Sequence, residues 1–193
     1  MTRKIAIIDG HPDRDRARFI HALADAYADG AASASHEVRR IDVADLGLPN
    51  LTGRGEWQDQ PPQPAVVEAQ EIIAWADHLL ILYPLWLGDM PATLKSFFEQ
   101  VMRPGFAFHY RENKLPKKGL KGKSARIVVT MGMPALFYRL VYGAHSVKSL
   151  KRNILNFVGI KPVECTLIGN VEGSRKDPAR WLRELRKLGA AAD

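Results

Sequence analysis

A single cysteine, Cys165, stands in this chain of 193 residues, so no disulfide can close within it. Such economy fits a reducing compartment, and the cytoplasm is the expected location. Within VECTLIGN, Cys165 reads as a buried structural thiol on a strand rather than a nucleophile. No apolar run approaches the roughly 20 residues that a helix needs to cross a bilayer, so no integral membrane segment is expected. The N-terminus, MTRKIAIIDG, has too short an apolar segment for a secretory signal and reads as a first strand. Two nucleotide signatures are also missing. No GxGxxG follows that strand, and no GxxxxGK with Ser or Thr occurs anywhere. His21, His36, His78 and His109 show no ligand spacing such as HExxH, so a metal centre is not expected.

What the chain does have is ordinary for a globular protein, with 46% hydrophobic and 25% charged residues. Its length suits one domain, residues 1–193, with a sizeable core. The net charge is +7, but the basic residues are dispersed except in KLPKKGLKGK (114–123). No zinc-finger, helix-turn-helix or RNA-binding signature accompanies them, so nucleic acid is not an expected partner. A protein that handles phosphorylated cofactors accounts for the charge equally well.

The pattern of elements centres on Leu79 to Val101. Leu79, Leu80, Ile81, Leu82 and Tyr83 form an apolar run closed by Pro84, which suits a strand buried on both faces of a parallel sheet. Leu94, Phe97, Phe98 and Val101 then recur at helical spacing over 90–101, with Pro91 at the start. The loop between them, PLWLGDM, offers Trp86 as a flat apolar face beside backbone N–H groups near Gly88. It reads either as a site for an aromatic heterocycle or as a tight turn with a core tryptophan. Further strands are expected at Lys4–Gly10, Glu37–Val43, Ser124–Thr130 and Val163–Ile168. Helices are expected at about Arg16–Asp29, closed by Gly30, and at Ala65–Ala76, Ser146–Phe157 and from Pro178 onward. Residues 44–64, with four prolines and three glycines, read as irregular and long, and residues 103–123 as a second long excursion. Five strands alternating with five helices predict an α/β fold, a parallel sheet in the flavodoxin-like order 2-1-3-4-5 with helices on both faces. In that order the loops after strands one, three and four share a crevice. The first of them carries His11, Arg14, Arg16 and Arg18 before a helix, which is a setting for an anion.

Four segments together, IIDGHP, YPLWLGDMPATLKSFFEQV, GFAF and VVTMGM, resemble the NAD(P)H:quinone oxidoreductase family. That family has a flavodoxin-like fold and includes drug-activity modulators and ancillary subunits of potassium-efflux systems. The resemblance covers nearly the whole chain in order, and it implies a flavin, FAD or FMN, with NAD(P)H as co-substrate and a quinone-like acceptor. It places His11, Arg18 and Phe19 at the flavin phosphates. Pro84, Leu85, Trp86, Leu87 and Gly88 fall at the isoalloxazine edge. Thr130, Met131, Gly132 and Met133 match a segment that is usually Thr-Thr-Gly-Gly, so two methionines replace a hydroxyl and a glycine. Tyr138 and His145 resemble the Tyr and His near nicotinamide and quinone, with one residue of added spacing, and neither reads as core. The implied activity is two-electron, ping-pong reduction of quinones or similar electrophiles. A flavodoxin-type electron carrier and a flavin-binding regulatory subunit of a transporter are the alternatives. A homodimer is also expected, with the two excursions completing a partner's pocket, because Trp57, Phe106, Phe108 and Tyr110 in them would be costly as one exposed patch.

Overall fold

The computed structural model describes residues 1–172 and 177–193. Its strands are β1 (Lys4–Asp9), β2 (Glu37–Asp42), β3 (His78–Pro84), β4 (Phe108–Arg111), β5 (Lys114–Lys118), β6 (Ser124–Thr130) and β7 (Val163–Ile168). Five of them form a parallel sheet in the order β2-β1-β3-β6-β7. With the hairpin β4-β5 set aside, this is the expected flavodoxin-like order.

The continuous apolar runs are explained by two cores. Ile5 and Ile7 of β1, Leu80 and Leu82 of β3 and Val128 of β6 face one layer, while Ala6, Ile8, Leu79, Ile81, Tyr83, Ile127 and Val129 face the other. Because successive strand residues point to opposite faces, a strand covered on both sides has no polar phase. Helix α1 (Phe19–Ser33) and the last helix, α8 (Pro178–Ala191), cover the first face. Helices α2 (Arg54–Gln58), α3 (Pro64–Trp75) and α4 (Ala92–Val101) precede β4 in the chain, and α3 and α4 cover the second face. Beyond β6 come α5 (Ala135–Leu140), α6 (His145–Ser149) and α7 (Asn156–Val158).

Several elements differ from expectation for identifiable reasons. Helix α1 starts at Phe19 rather than Arg16, because side chains before it hold the backbone in successive turns. The N–H groups of His11, Asp13, Asp15 and Ala17 each donate to the side chain two residues earlier, at 2.9–3.1 Å. Such local bonds compete with helix formation. Gly30 does not close α1. It lies inside the helix, where a Cβ would stand 1.9 Å from the Arg186 carbonyl oxygen of α8. The expected helix 146–157 is interrupted by a π-helical segment, Leu150–Leu155. The excursion 44–64 holds a 3-10 turn (Val43–Asp45) and α2, and docks on α4. Arg103 Nη1 donates to the carbonyls of Glu56 and Gln60, both at 3.1 Å, and Trp57 Nε1 donates to the Glu99 carbonyl at 2.9 Å. The excursion 103–123 contains the β4-β5 hairpin. Cys165 is exposed, not buried, because β7 is an edge strand paired only with β6.

The premise for shared aromatic patches changes as well. Phe108 is buried, with its ring 6.0 Å from Trp57, 5.3 Å from Tyr110 and 5.0 Å from Phe157. The two excursions satisfy one another within one chain, and only Tyr110 of that set is exposed.

Candidate active site

At the carboxyl ends of β1, β3 and β6 three loops surround a cleft of about 540 Å³. His11, Arg18, Phe19, Pro84, Trp86 and Thr130 line it, joined by Asp13, Ala17, Ile20, Val171 and Glu172.

The first loop is built on a buried carboxylate. Asp9 ends β1 almost fully buried, and a lone carboxylate there would carry a large desolvation cost. Its Oδ1 accepts from the His11 N–H at 3.1 Å, and its Oδ2 lies 2.6 Å from His21 Nδ1. His21 Nε2 stands 2.9 Å from the Asp13 carbonyl, so one ring ties the strand end to the loop. His11 Nδ1 accepts from the Asp13 N–H at 3.0 Å, which assigns the proton of its neutral ring to Nε2. Burial, and then the charge of His21, lower the pKa of His11. Its ring meets Trp86 edge-on at 6.1 Å.

The three arginines of this loop already have partners. Arg18 is held by Asp13 at 2.7 Å, Arg14 by the Ala44 carbonyl and Asp45, and Arg16 by Asp25. Anion affinity at this end therefore falls to the backbone. Arg18 caps α1 without a side-chain hydrogen bond, and the first turn has no acid. The first N–H groups of a helix have no intrahelical partner and carry the positive end of the dipole. Those of Phe19 and Ile20 therefore suit a phosphate.

The loop after β3 is both a tight turn and an exposed aromatic. Trp86 and Asp89 exchange two backbone bonds of 2.8 and 2.9 Å, with Leu87 (φ 48°) and Gly88 (φ 82°) at the tip. The N–H groups of Leu87 and Gly88 have no partner among the described residues. Trp86 is half exposed and lines the cleft, whereas Leu85 packs toward the core. The Leu85 N–H donates to the Thr130 carbonyl at 2.8 Å, locking two of the three loops together.

In the third loop Thr130 borders the cleft, Met131 is buried, and Met133 packs partly on the core. Gly132 is exposed, and a Cβ there would approach Glu172 Oε2 at 3.4 Å. Tyr138 is core, against expectation, at 1% exposure. Its hydroxyl lies 2.6 Å from Ser146 Oγ, and the Tyr83 hydroxyl lies 3.5 Å from the same atom. His145 is exposed at the first position of α6, just after Ala144 at φ 49°. The structure thus brings His11, Arg18, Phe19, Pro84, Trp86 and Thr130 to one cleft. Leu85, Met131 and Met133 turn toward the core, and Leu87, Gly88, Gly132, Tyr138 and His145 stand outside the lining.

Sequence reasoning missed Asp9, His21, Ser146, Val171 and Glu172. A carboxylate inside an apolar strand was the available signal for Asp9, because it demands a buried partner. Nothing in the spacing pointed to His21 as that partner, or to Glu172 from beyond β7.

Comparison with known proteins agrees with this geometry. Residues 3–190 match the family model described as flavodoxin-like fold. The FMN-dependent NADH:quinone oxidoreductase 1 of Hahella chejuensis is 33% identical over 174 residues, covering 84% of this chain and 80% of that protein. A solved NAD(P)H:quinone oxidoreductase from Methanothermobacter marburgensis superposes with a TM-score of 0.85 at 24% identity, over 100% of both chains. An FMN-dependent NADH-azoreductase from Bacillus anthracis, solved in complex with FMN, gives 0.73 at 20% identity over 99% and 97%. A sheet in this order, a match from end to end and a relative at one third identity have a single reading: the chain belongs to the flavodoxin-like fold family.

Proposed function

We propose that this protein is an FMN-dependent NAD(P)H:quinone oxidoreductase. The observation that carries the reading is the cleft itself, where the uncapped start of α1 and the half-exposed Trp86 ring face one space. It offers an anion site at one end and a flat apolar wall at the other, which is the chemistry of a flavin mononucleotide. A flavin held in this cleft would supply the two-electron redox chemistry that links a nicotinamide to a quinone.

The chain's own residues bind and orient. The N–H groups of Phe19 and Ile20 hold the phosphate, and Asp9, His21 and Asp13 fix the loop that presents them. The N–H groups of Leu87 and Gly88 are donors for negative charge growing on the ring edge, which a preorganised amide stabilises without reorganising. His145, exposed at the start of α6, is the residue to which we assign the proton that completes quinol formation. Tyr138 is a positioning residue, because its hydroxyl is spent on Ser146, the residue after His145.

FAD is a second reading with one observation in its favour. A cavity of about 400 Å³ adjoins the cleft through Phe19 and Val171 and has Trp181 and Arg180 in its wall, room for an adenine. The chain works as one domain in the cytoplasm and as a homodimer. A groove of about 810 Å³, lined by Trp57, Phe98, Met102, Phe108, Tyr110 and Phe157, receives apolar side chains of the second copy.

The test is anaerobic stopped flow on protein reconstituted separately with FMN and FAD. NADH should bleach the flavin band, and a quinone added afterwards should restore it. His145→Gln should slow one of these half-reactions by about ten- to a hundredfold. Protein that binds flavin without bleaching would be an electron carrier or a regulatory subunit, and the enzymatic reading would fall.

A further inference from the structure

The net charge of +7 is not spread along the chain. Eleven of the 28 Lys and Arg lie between Asn113 and Val163, and none of the 21 Asp and Glu do, so the rest of the chain is net −4. The same stretch holds a cluster of exposed apolar side chains over α5 and the residues after it. Leu136 and Leu140 are 65% and 71% exposed, and Phe137, Val141 and Tyr142 are exposed with them. The side chains of this segment are held outward by its anchors, since Tyr138 alone of α5 is buried and carries the hydrogen bond to Ser146. Arg139 lies within the apolar set, and Lys148, Lys151 and Arg152 follow within the next turns. None of these four forms an ion pair among the described residues.

We propose that the segment 136–142, with Arg139, Lys148, Lys151 and Arg152 beside it, docks the protein on an anionic phospholipid surface. Outward Leu, Phe, Val and Tyr next to unpaired cations are the composition of an interfacial segment, with apolar groups entering the headgroup boundary and cations holding anionic lipid. Among the described residues no helix is long and apolar enough to cross a membrane, and the proposed association is peripheral. Its position gives it a purpose. The segment follows β6 at the carboxyl end of the sheet, the end that also carries the cleft and the exposed Trp86 and Leu87. Docking there brings the cleft to the bilayer, where quinones with long apolar tails reside. This purpose rests on the quinone-reductase reading, but the docking itself does not.

The test is co-sedimentation of the full chain with vesicles of phosphatidylcholine alone and with phosphatidylglycerol added, at low and high salt. Wild type should pellet with the anionic vesicles at low salt only. Each of Arg139→Gln and Lys148→Gln should weaken partitioning about fivefold. Leu140→Glu, at an exposed position that should not disturb folding, should weaken it roughly tenfold or more. Circular dichroism and flavin binding of the variants should match wild type. Wild type left in the supernatant, or Leu140→Glu pelleting like wild type, would overturn the proposal. If wild type stays in the supernatant and Leu140→Glu changes the sedimentation coefficient, the patch belongs to a second copy instead. Since vesicle binding is read without turnover, its failure is separable from failure to oxidise NADH, which would strike the function alone.

Discussion

His78 opens β3 at 2% exposure, with Nδ1 on Ser124 Oγ at 2.8 Å and Nε2 buried without a partner among the described residues. Arg3 and Arg126 stand near it, Asp193 opposes them, and burial above all lowers its pKa from 6.5 to about 4. A histidine whose folded pKa is depressed binds its proton more readily when unfolded, so stability is full above 6.5 and is lost as pH falls toward 4. The loss is about 3 kcal/mol. Urea titrations across that range, compared with His78→Gln, should show wild type losing this much more than the variant. Equal slopes would mean that the histidine is solvated. Tyr138 makes a second residue-scale case. Its hydroxyl, buried on Ser146, predicts that Tyr138→Phe lowers stability by about 1 kcal/mol. An unchanged urea midpoint would show that Ser146 turns to Tyr83 without loss.

At the scale of elements, the pairing of α1 with α8 depends on glycine at the crossing. Gly30 and Gly189 face the opposite backbone, where a Cβ would lie 1.9 Å from Arg186 O and 2.0 Å from Tyr27 O. Gly30→Ala gains helix propensity of up to about 1 kcal/mol, yet it must push two helices apart. The net expectation is a loss of about 1–3 kcal/mol. Gly55→Ala in α2 is the control, because its Cβ would meet only Asp59 Oδ2 at 3.8 Å. That variant should be neutral or slightly stabilising. If both behave alike in denaturant, close approach is not what selects glycine at position 30.

For the whole molecule, the groove between α4, the β4-β5 hairpin and the π-helical segment is the surface through which a homodimer would form. Sedimentation at tens of micromolar should show twice the chain mass, and Tyr110→Glu should return it to monomer while flavin binding persists. A monomeric wild type would remove the dimer. It would leave the flavin reading standing, because the start of α1 and the Trp86 ring face the cleft within the chain.

Local sequence determined the strands and their order of use. Ile5 to Ile8 and Leu79 to Tyr83 are apolar in every phase, and only a strand covered on both faces tolerates that. Trp86 was legible as a cleft residue because a loop at the end of such a strand has few other places to go, while Pro84 and Phe19 were placed there by the family resemblance. Which partners the folded chain brings to each side chain was not legible. Arg18 looked like a free cation until Asp13 folded back upon it, and Gly30 looked like a cap until α8 arrived from the far end of the chain. His21 gained its role only when the loop brought Asp13 over it, and Tyr138 became core only when Ser146 came beneath its hydroxyl. Periodicity and propensity act over a few residues, so they decide which segments form. Partners such as those of Arg18, His21 and Tyr138 depend on how a loop folds back, and the packing at Gly30 on a helix far away in sequence, and those the tertiary structure alone decided.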